Sequence, residues 1–209
     1  MARAKKVVEF VNVIRNALQA RQDACVRLGK LNQAGQLNTP IREMSDGVLK
    51  AAQSVLTQTD FAQLCEVIAY CDESGKGKEQ VKSVVKIVTM LRALACNDGK
   101  LLDGNTRCGI LTLLNNDGHA SVREMVFSQS KSARAAGDLF AVRESFKSEN
   151  ARYSIGTGNS QVSQVRQVLN VFGFFEGFIK GGRGNDPQLN EYGFAVLHNL
   201  VFVQKGEEQ

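Results

Sequence analysis

The chain has 209 residues, 43% of them hydrophobic and 22% charged, a balance that suits a folded protein with a buried core and excludes wholesale disorder. Its formal net charge is +5, with nine Lys/Arg against four Asp/Glu in residues 1–50 and seven against five in 105–160, while 51–104 and 161–209 are each one charge negative. This mild basic surplus favours polyanionic partners through counterion release. Two prolines leave long stretches free to be helical.

Residues 4–28 carry the clearest helical pattern. Val7, Phe10, Val11, Ile14, Leu18, Cys25 and Leu28 fall on one stripe, and Lys5, Glu9, Asn12, Asn16 and Asp23 face away. Gly29 and Gly35 bracket its end. Thr39-Pro40 reads as an N-cap followed by proline at the first helical position, opening a short or broken helix that reaches about Leu56, with Gly47 as its weak point. Asp60 and Gln63 form a capping-box pair ahead of Phe61, Leu64, Cys65 and Ile68. After the polar loop Asp72–Lys78, residues 79–96 predict a helix with Val81, Val84, Val85, Val88 and Leu91 inward, ended by Asn97-Asp98-Gly99.

A short helix is expected over 105–115, a turn at Asn116-Asp117-Gly118, and a helix opened by the capping box Ser121/Glu124 running towards Ala136. Asp138 caps a further helix to about Lys147. Residues 148–160 read as a glycine-containing loop or hinge. A helix over 160–180 places Val162, Val165, Leu169, Phe172 and Ile179 on one side and Gly173/Gly177 on another, where a second backbone can approach. Gly181–Gly184 ends it, and the last apolar segment, Phe194–Val203, reads as helix rather than strand. The expected fold is all-α, an irregular multi-helix bundle forming either one continuous domain or two lobes, 1–147 and 148–209.

Catalytic and metal-binding patterns fail one by one. His119 and His198 are the only histidines and read as structural residues, not catalysts. There is no GxSxG, HExxH or Walker sequence, and the Asp/Asn-Gly turns lack the order of a calcium loop. Five cysteines, odd in number and without a CxxC spacing, read as reduced thiols in a reducing compartment, cytoplasm or nucleus. The start, Arg3, Lys5 and Lys6 before an amphipathic stretch, is unlike a secretory leader. The longest apolar run, around Val168–Ile179, is interrupted by Asn170 and Glu176, so no membrane span is expected. No metal, cofactor or enzymatic activity is expected.

The most suggestive segment is Gly156-Thr157-Gly158-Asn159-Ser160, read as a glycine turn with Asn159 or Ser160 capping the helix behind it. Free backbone donors at such a start attract phosphate. Arg143, Lys147, Arg152 and Arg166 lie close in sequence, and Tyr153 can stack on a base. Lys78, Lys82 and Lys86 repeat every four residues, a like-charged stripe that mildly disfavours its helix unless it faces polyanion or solvent. These residues point to a non-enzymatic, nucleocapsid-like coating or assembly protein that binds RNA or single-stranded DNA by its phosphates and self-associates as a homo-oligomer. The alternative is a helical protein–protein adaptor docking through Gly173/Gly177 and the surplus phenylalanines Phe174 and Phe178.

Overall fold

Apolar spacing, caps and stop signals resolve into an all-α architecture in a computed structural model, which describes residues 2–71, 78–129, 155–177 and 186–202, the side chains of 2–9, 78–80 and 155 excepted. The chain forms two compact units, 1–101 and 102–209. The division expected at 147/148, and the helix expected from Asp138, lie outside the described residues.

In the first unit, α1 (Ala2–Arg27) buries Phe10, Val11, Ile14, Leu18 and Cys25 on the expected stripe. Arg21 joins them, 1% exposed, because it continues the Leu18–Cys25 face. Gly29 ends the helix at φ +68, its N–H bonding the Val26 carbonyl while the Lys30 N–H reaches back to Cys25. That left-handed residue with paired back-bonds satisfies the last carbonyls of the helix. Two short helices follow, α2 (Leu31–Gln36) and α3 (Asn38–Glu43). Pro40 sits inside the first turn of α3, two positions later than Thr39 capping would place it, and its missing donor costs nothing there.

The expected break before Leu56 falls at Met44–Ser45. Ser45 Oγ accepts the Val48 N–H at 3.3 Å and starts α4 (Asp46–Val55), leaving Gly47 in the first turn. Asp60 caps α5 (Phe61–Ala69) by accepting from the Ala62 and Gln63 N–H groups. The Phe10 and Phe61 rings, 4.3 Å apart, join α1 to α5. Helix α6 (Lys78–Cys96) is buried over much of its circumference, with Val81, Val84, Ile87, Val88, Met90, Leu91 and Leu94 inward, and it packs against α2, α3 and α4. A helix of that kind belongs at the centre of its unit, so the stripe read for 79–96 is broader than expected. Val85, expected inward, is half-buried. Asn97 stops α6 at φ +48, and Gly99–Leu101 form a short 3-10 turn.

The second unit packs α7 (Gly104–Leu114), α8 (Val122–Ser128), α9 (Ile155–Val171) and α10 (Glu191–Phe202). Asp103 caps α7, and the Ser121/Glu124 capping box opens α8 as the sequence indicates. The helix expected over 160–180 instead spans Ile155–Val171. Gly173, at φ +74, terminates it; its N–H bonds the Asn170 carbonyl and the Phe174 N–H bonds Leu169. Phe174 then turns back into the core, 0% exposed, with its ring 5.6 Å from that of Phe172. The last segment is helical, as read. Gly193 brings α10 against the backbone of Phe174 so closely that a Cβ would meet the Phe174 carbonyl oxygen at 2.3 Å.

Gly193→Ala is therefore expected to lose about 1–3 kcal/mol, because the obstacle is backbone and cannot swing aside. Gly47→Ala, in a helical turn with nothing within 4 Å, is expected to gain up to about 1 kcal/mol. Urea unfolding of the two variants checks the contrast. A second expectation concerns pH. Burial pushes the Cys65 thiol up to about 11 from its ordinary 9.0. The unfolded chain then holds fewer protons than the folded one between those values, so this contribution to stability is full below pH 9 and is lost as pH rises towards 11. Cys65→Ala should flatten that decline in a melting-temperature series from pH 8 to 11; burial and the Cys71 thiol also raise Cys25, which retains part of the slope.

Candidate nucleic-acid interface

Helix α9 starts five residues earlier than its glycines suggest, so Gly156–Ser160 form its first turns instead of a loop before it. Asn159 and Ser160 are thus helical residues and not caps. The reason is tertiary packing: Gly158 is buried, and a Cβ there would meet Val126 Cγ1 at 3.1 Å, so α8 requires the small residue within the helix. Gly156 has nothing within 4 Å of the corresponding position, and Gly156, Thr157 and Asn159 are exposed while Ser160 is half-buried. The first turn carries no acidic residue. Its N–H donors and the peptide dipoles together make this an end suited to an anion.

The cations divide by environment. Arg166 is only 6% exposed. Burial lowers its pKa, and the carboxylate of Asp186 opposes that shift. Asp186 also accepts the Val122 N–H at 3.1 Å, tying the start of α8 to the segment before α10. Arg166 is thereby committed to holding the second unit together, because a buried guanidinium beside a carboxylate is not available to an external phosphate. Lys86 is 8% exposed, whereas Lys82 on the same helix is exposed. The expected stripe Lys78–Lys82–Lys86 is not a uniform solvent face, since α6 buries most of its circumference. It also belongs to the first unit, and Gly156–Ser160 to the second. The side chain of Lys78, and Arg143, Lys147, Arg152 and Tyr153 entirely, lie outside the described residues.

The residues proposed for an adaptor surface are placed differently from the sequence reading. Gly173 ends α9 instead of lining it, Gly177 lies beyond the helix at φ +74, and Phe172, Phe174 and Phe175 are buried. Phe178 lies outside the described residues.

A feature missed in the sequence lies on α10. Phe194, His198 and Phe202 are spaced by four, and their rings form a row, Phe194 stacked with His198 at 6.0 Å and Phe202 tilted against His198 at 5.1 Å. His198 is exposed, not packed in the core, and Phe202 remains 47% exposed. The i, i+4, i+8 aromatic spacing was the available signal, masked by the apolar residues between. On the same unit, the guanidinium of exposed Arg123 lies 5.3 Å from the centre of the Phe127 ring. No group of three or more His, Cys, Asp or Glu side chains suited to a metal occurs among the described residues, and no helix among them is long and apolar enough to cross a membrane.

Compared with protein-family models, with curated proteins and with solved structures, the chain matches none.

The placement of Asp186 generates a test. Asp186→Ala should destabilise the chain by about 1–2 kcal/mol, through loss of the Val122 N–H acceptor and of the charge facing Arg166. Chemical unfolding measures it; an unchanged midpoint would separate Asp186 from the packing of α8.

Proposed function

We propose that this chain is a non-enzymatic, helical nucleic-acid-binding protein of the coating or assembly kind, which holds RNA or single-stranded DNA by its phosphates without reading sequence. The observation that carries this reading is the solvent-open, acid-free start of α9, with Gly156, Thr157 and Asn159 exposed. Arg143, Lys147, Arg152 and Tyr153 precede it directly in the chain. Backbone donors at the helix start take one phosphate, and the three cations neutralise its neighbours. The Phe194–His198–Phe202 row supports the same reading, because aromatic faces stack bases regardless of their identity. The surplus charge of the chain lies wholly in 1–101, with fifteen Lys/Arg against ten Asp/Glu, while 102–209 has eleven of each. Long-range attraction of a polyanion therefore comes from the first unit, and local contact from the second. Association with further copies of the chain completes the coating role.

A protein–protein adaptor is the second reading. It is favoured by exposed apolar side chains on the first unit, Val26, Leu31 and Tyr70.

Fluorescence anisotropy with labelled oligo(U) and oligo(dT), repeated across a salt series, separates the two. The coating reading expects binding at low salt to both, with log K falling linearly against log salt. The triple substitution Arg143→Gln, Lys147→Gln, Arg152→Gln should make that slope shallower by about 2 and weaken binding roughly tenfold or more, since each lost phosphate contact on a single strand is worth about 0.7 in slope. A folded wild-type protein that binds neither oligonucleotide at low salt overturns the reading in favour of the adaptor.

A further inference from the structure

The end of α1 and the residue just past α5 bring two thiols together. Cys25 Sγ and Cys71 Sγ are 3.8 Å apart across 46 residues of sequence. Cys25 is fully buried on the apolar face of α1, while Cys71 is half-buried and lies beyond the last turn of α5, where no helical ladder fixes its backbone. The remaining cysteines are differently placed: Cys65 and Cys108 are buried, and Cys96 is exposed at the end of α6. The third member of the cluster is Arg21, one turn before Cys25. Its Nε and Nη1 are buried without a hydrogen-bond partner. Its charge and a contact to the Cys25 sulfur favour the ionised thiol, against burial and the Cys71 thiol, which disfavour it more strongly. Leaving buried guanidinium N–H groups unpaired is costly, and a thiolate at Cys25 would offer them an acceptor.

We propose that Cys25 and Cys71 are a reversible redox pair, joined as a disulfide by hydrogen peroxide and reopened by a thiol reductant, so that the end of α1 is tied to the end of α5. Cys71, the more accessible sulfur, reacts first. Its thiolate attacks one peroxide oxygen, the O–O bond breaks, and the departing hydroxide takes up a proton as water, leaving a sulfenic acid on Cys71. The Cys25 sulfur then attacks the Cys71 sulfur. The S–S bond forms, the S–O bond breaks, and the second hydroxide leaves as water with the proton from Cys25. Two thiols are oxidised by two electrons, and one peroxide is reduced to two waters. Arg21 steadies the Cys25 thiolate at the moment of attack, without changing the balance. The link needs about 2 Å of approach between the sulfurs, within reach of side-chain rotation and a small shift at Cys71.

The test uses the full-length chain, fully reduced, treated with hydrogen peroxide, then denatured, alkylated and digested with trypsin. The expected product is the peptide Gln22–Arg27 linked to Ala51–Lys76, with two of the five thiols lost to alkylation and restored by dithiothreitol. The larger peptide holds both Cys65 and Cys71, so Cys71→Ala should abolish the link and Cys65→Ala should keep it. If either variant fails to fold, fragmentation of the wild-type linked pair assigns the bond directly. The oxidised wild type should stay monomer-sized on denaturing gels and melt several degrees higher than the reduced form, because the cross-link constrains the unfolded chain. The proposal is overturned if all five thiols remain alkylatable, if the bond uses Cys65 or Cys96, or if Cys71 passes to sulfinic acid without a link.

Discussion

The amide of Asn190 holds the second unit's architecture at one point. Its Nδ2 donates to the carbonyls of Gly173 and Phe175, at 2.8 and 3.1 Å, and its Oδ1 accepts the Gly193 N–H at 2.7 Å. Its backbone N–H meets the Phe174 carbonyl. One side chain thus serves the carbonyls stranded where α9 stops and the donors stranded where α10 begins, groups that would otherwise have to find water. Around it the chain is laced by short antiparallel bridges, His119 with Gln188 and Phe175 with Leu189. Because this junction fixes the start of α10 and the missing Cβ of Gly193 sets its depth, it also fixes which face of α10 turns outward. The Phe194–His198–Phe202 row is a consequence of that register.

The basic residues show how far a charge count can mislead. Arg21, Lys86 and Arg166 contribute to the formal charge as fully as Lys82 or Arg123 do, yet they are buried. Arg15 and Arg92 are bound to Asp46 and Glu43, pairs that fasten the α3–α4 region to α1 and α6. Exposed pairs of this type contribute little energy, but they direct those cations away from external ligands. The cations fully exposed among the described residues are a smaller set: Arg27, Arg42, Lys50, Lys82, Lys100, Arg107 and Arg123. Diffuse attraction, not a single deep site, is what such a set provides.

Most of the helices were legible because they announce themselves locally. The α1 stripe, the Asp60 and Ser121 caps and the stop at Asn97 are decided by neighbours in sequence, and periodicity reads them well. The errors lie where distant residues overrule local preference. Glycine disfavours helix, so Gly156 and Gly158 looked like a loop, but contact with Val126 makes the small residue an advantage within α9. The apolar run through Phe178 concealed the stop at Gly173, since nothing local distinguishes a phenylalanine continuing a helix from one folding back over its end. Arg21 is legible from its position, three residues after Leu18 and four before Cys25 on the buried face, although its charge alone argues for solvent. Of the candidate interface, the sequence located the open end of α9 but assigned it the wrong local structure, and it missed the aromatic row.

In the 3-10 turn after α6, Gly99 is buried and Leu101 half-buried, while Lys100 is exposed. That lysine stands one residue before the first compact unit ends. Tryptic cleavage after Lys100 would partition the polypeptide almost at the boundary between its two units, and the halves would be electrically unlike: the amino-terminal piece would carry the whole cationic excess and the carboxy-terminal piece would be neutral overall. Ion-exchange chromatography could then sort the fragments by their unlike charge.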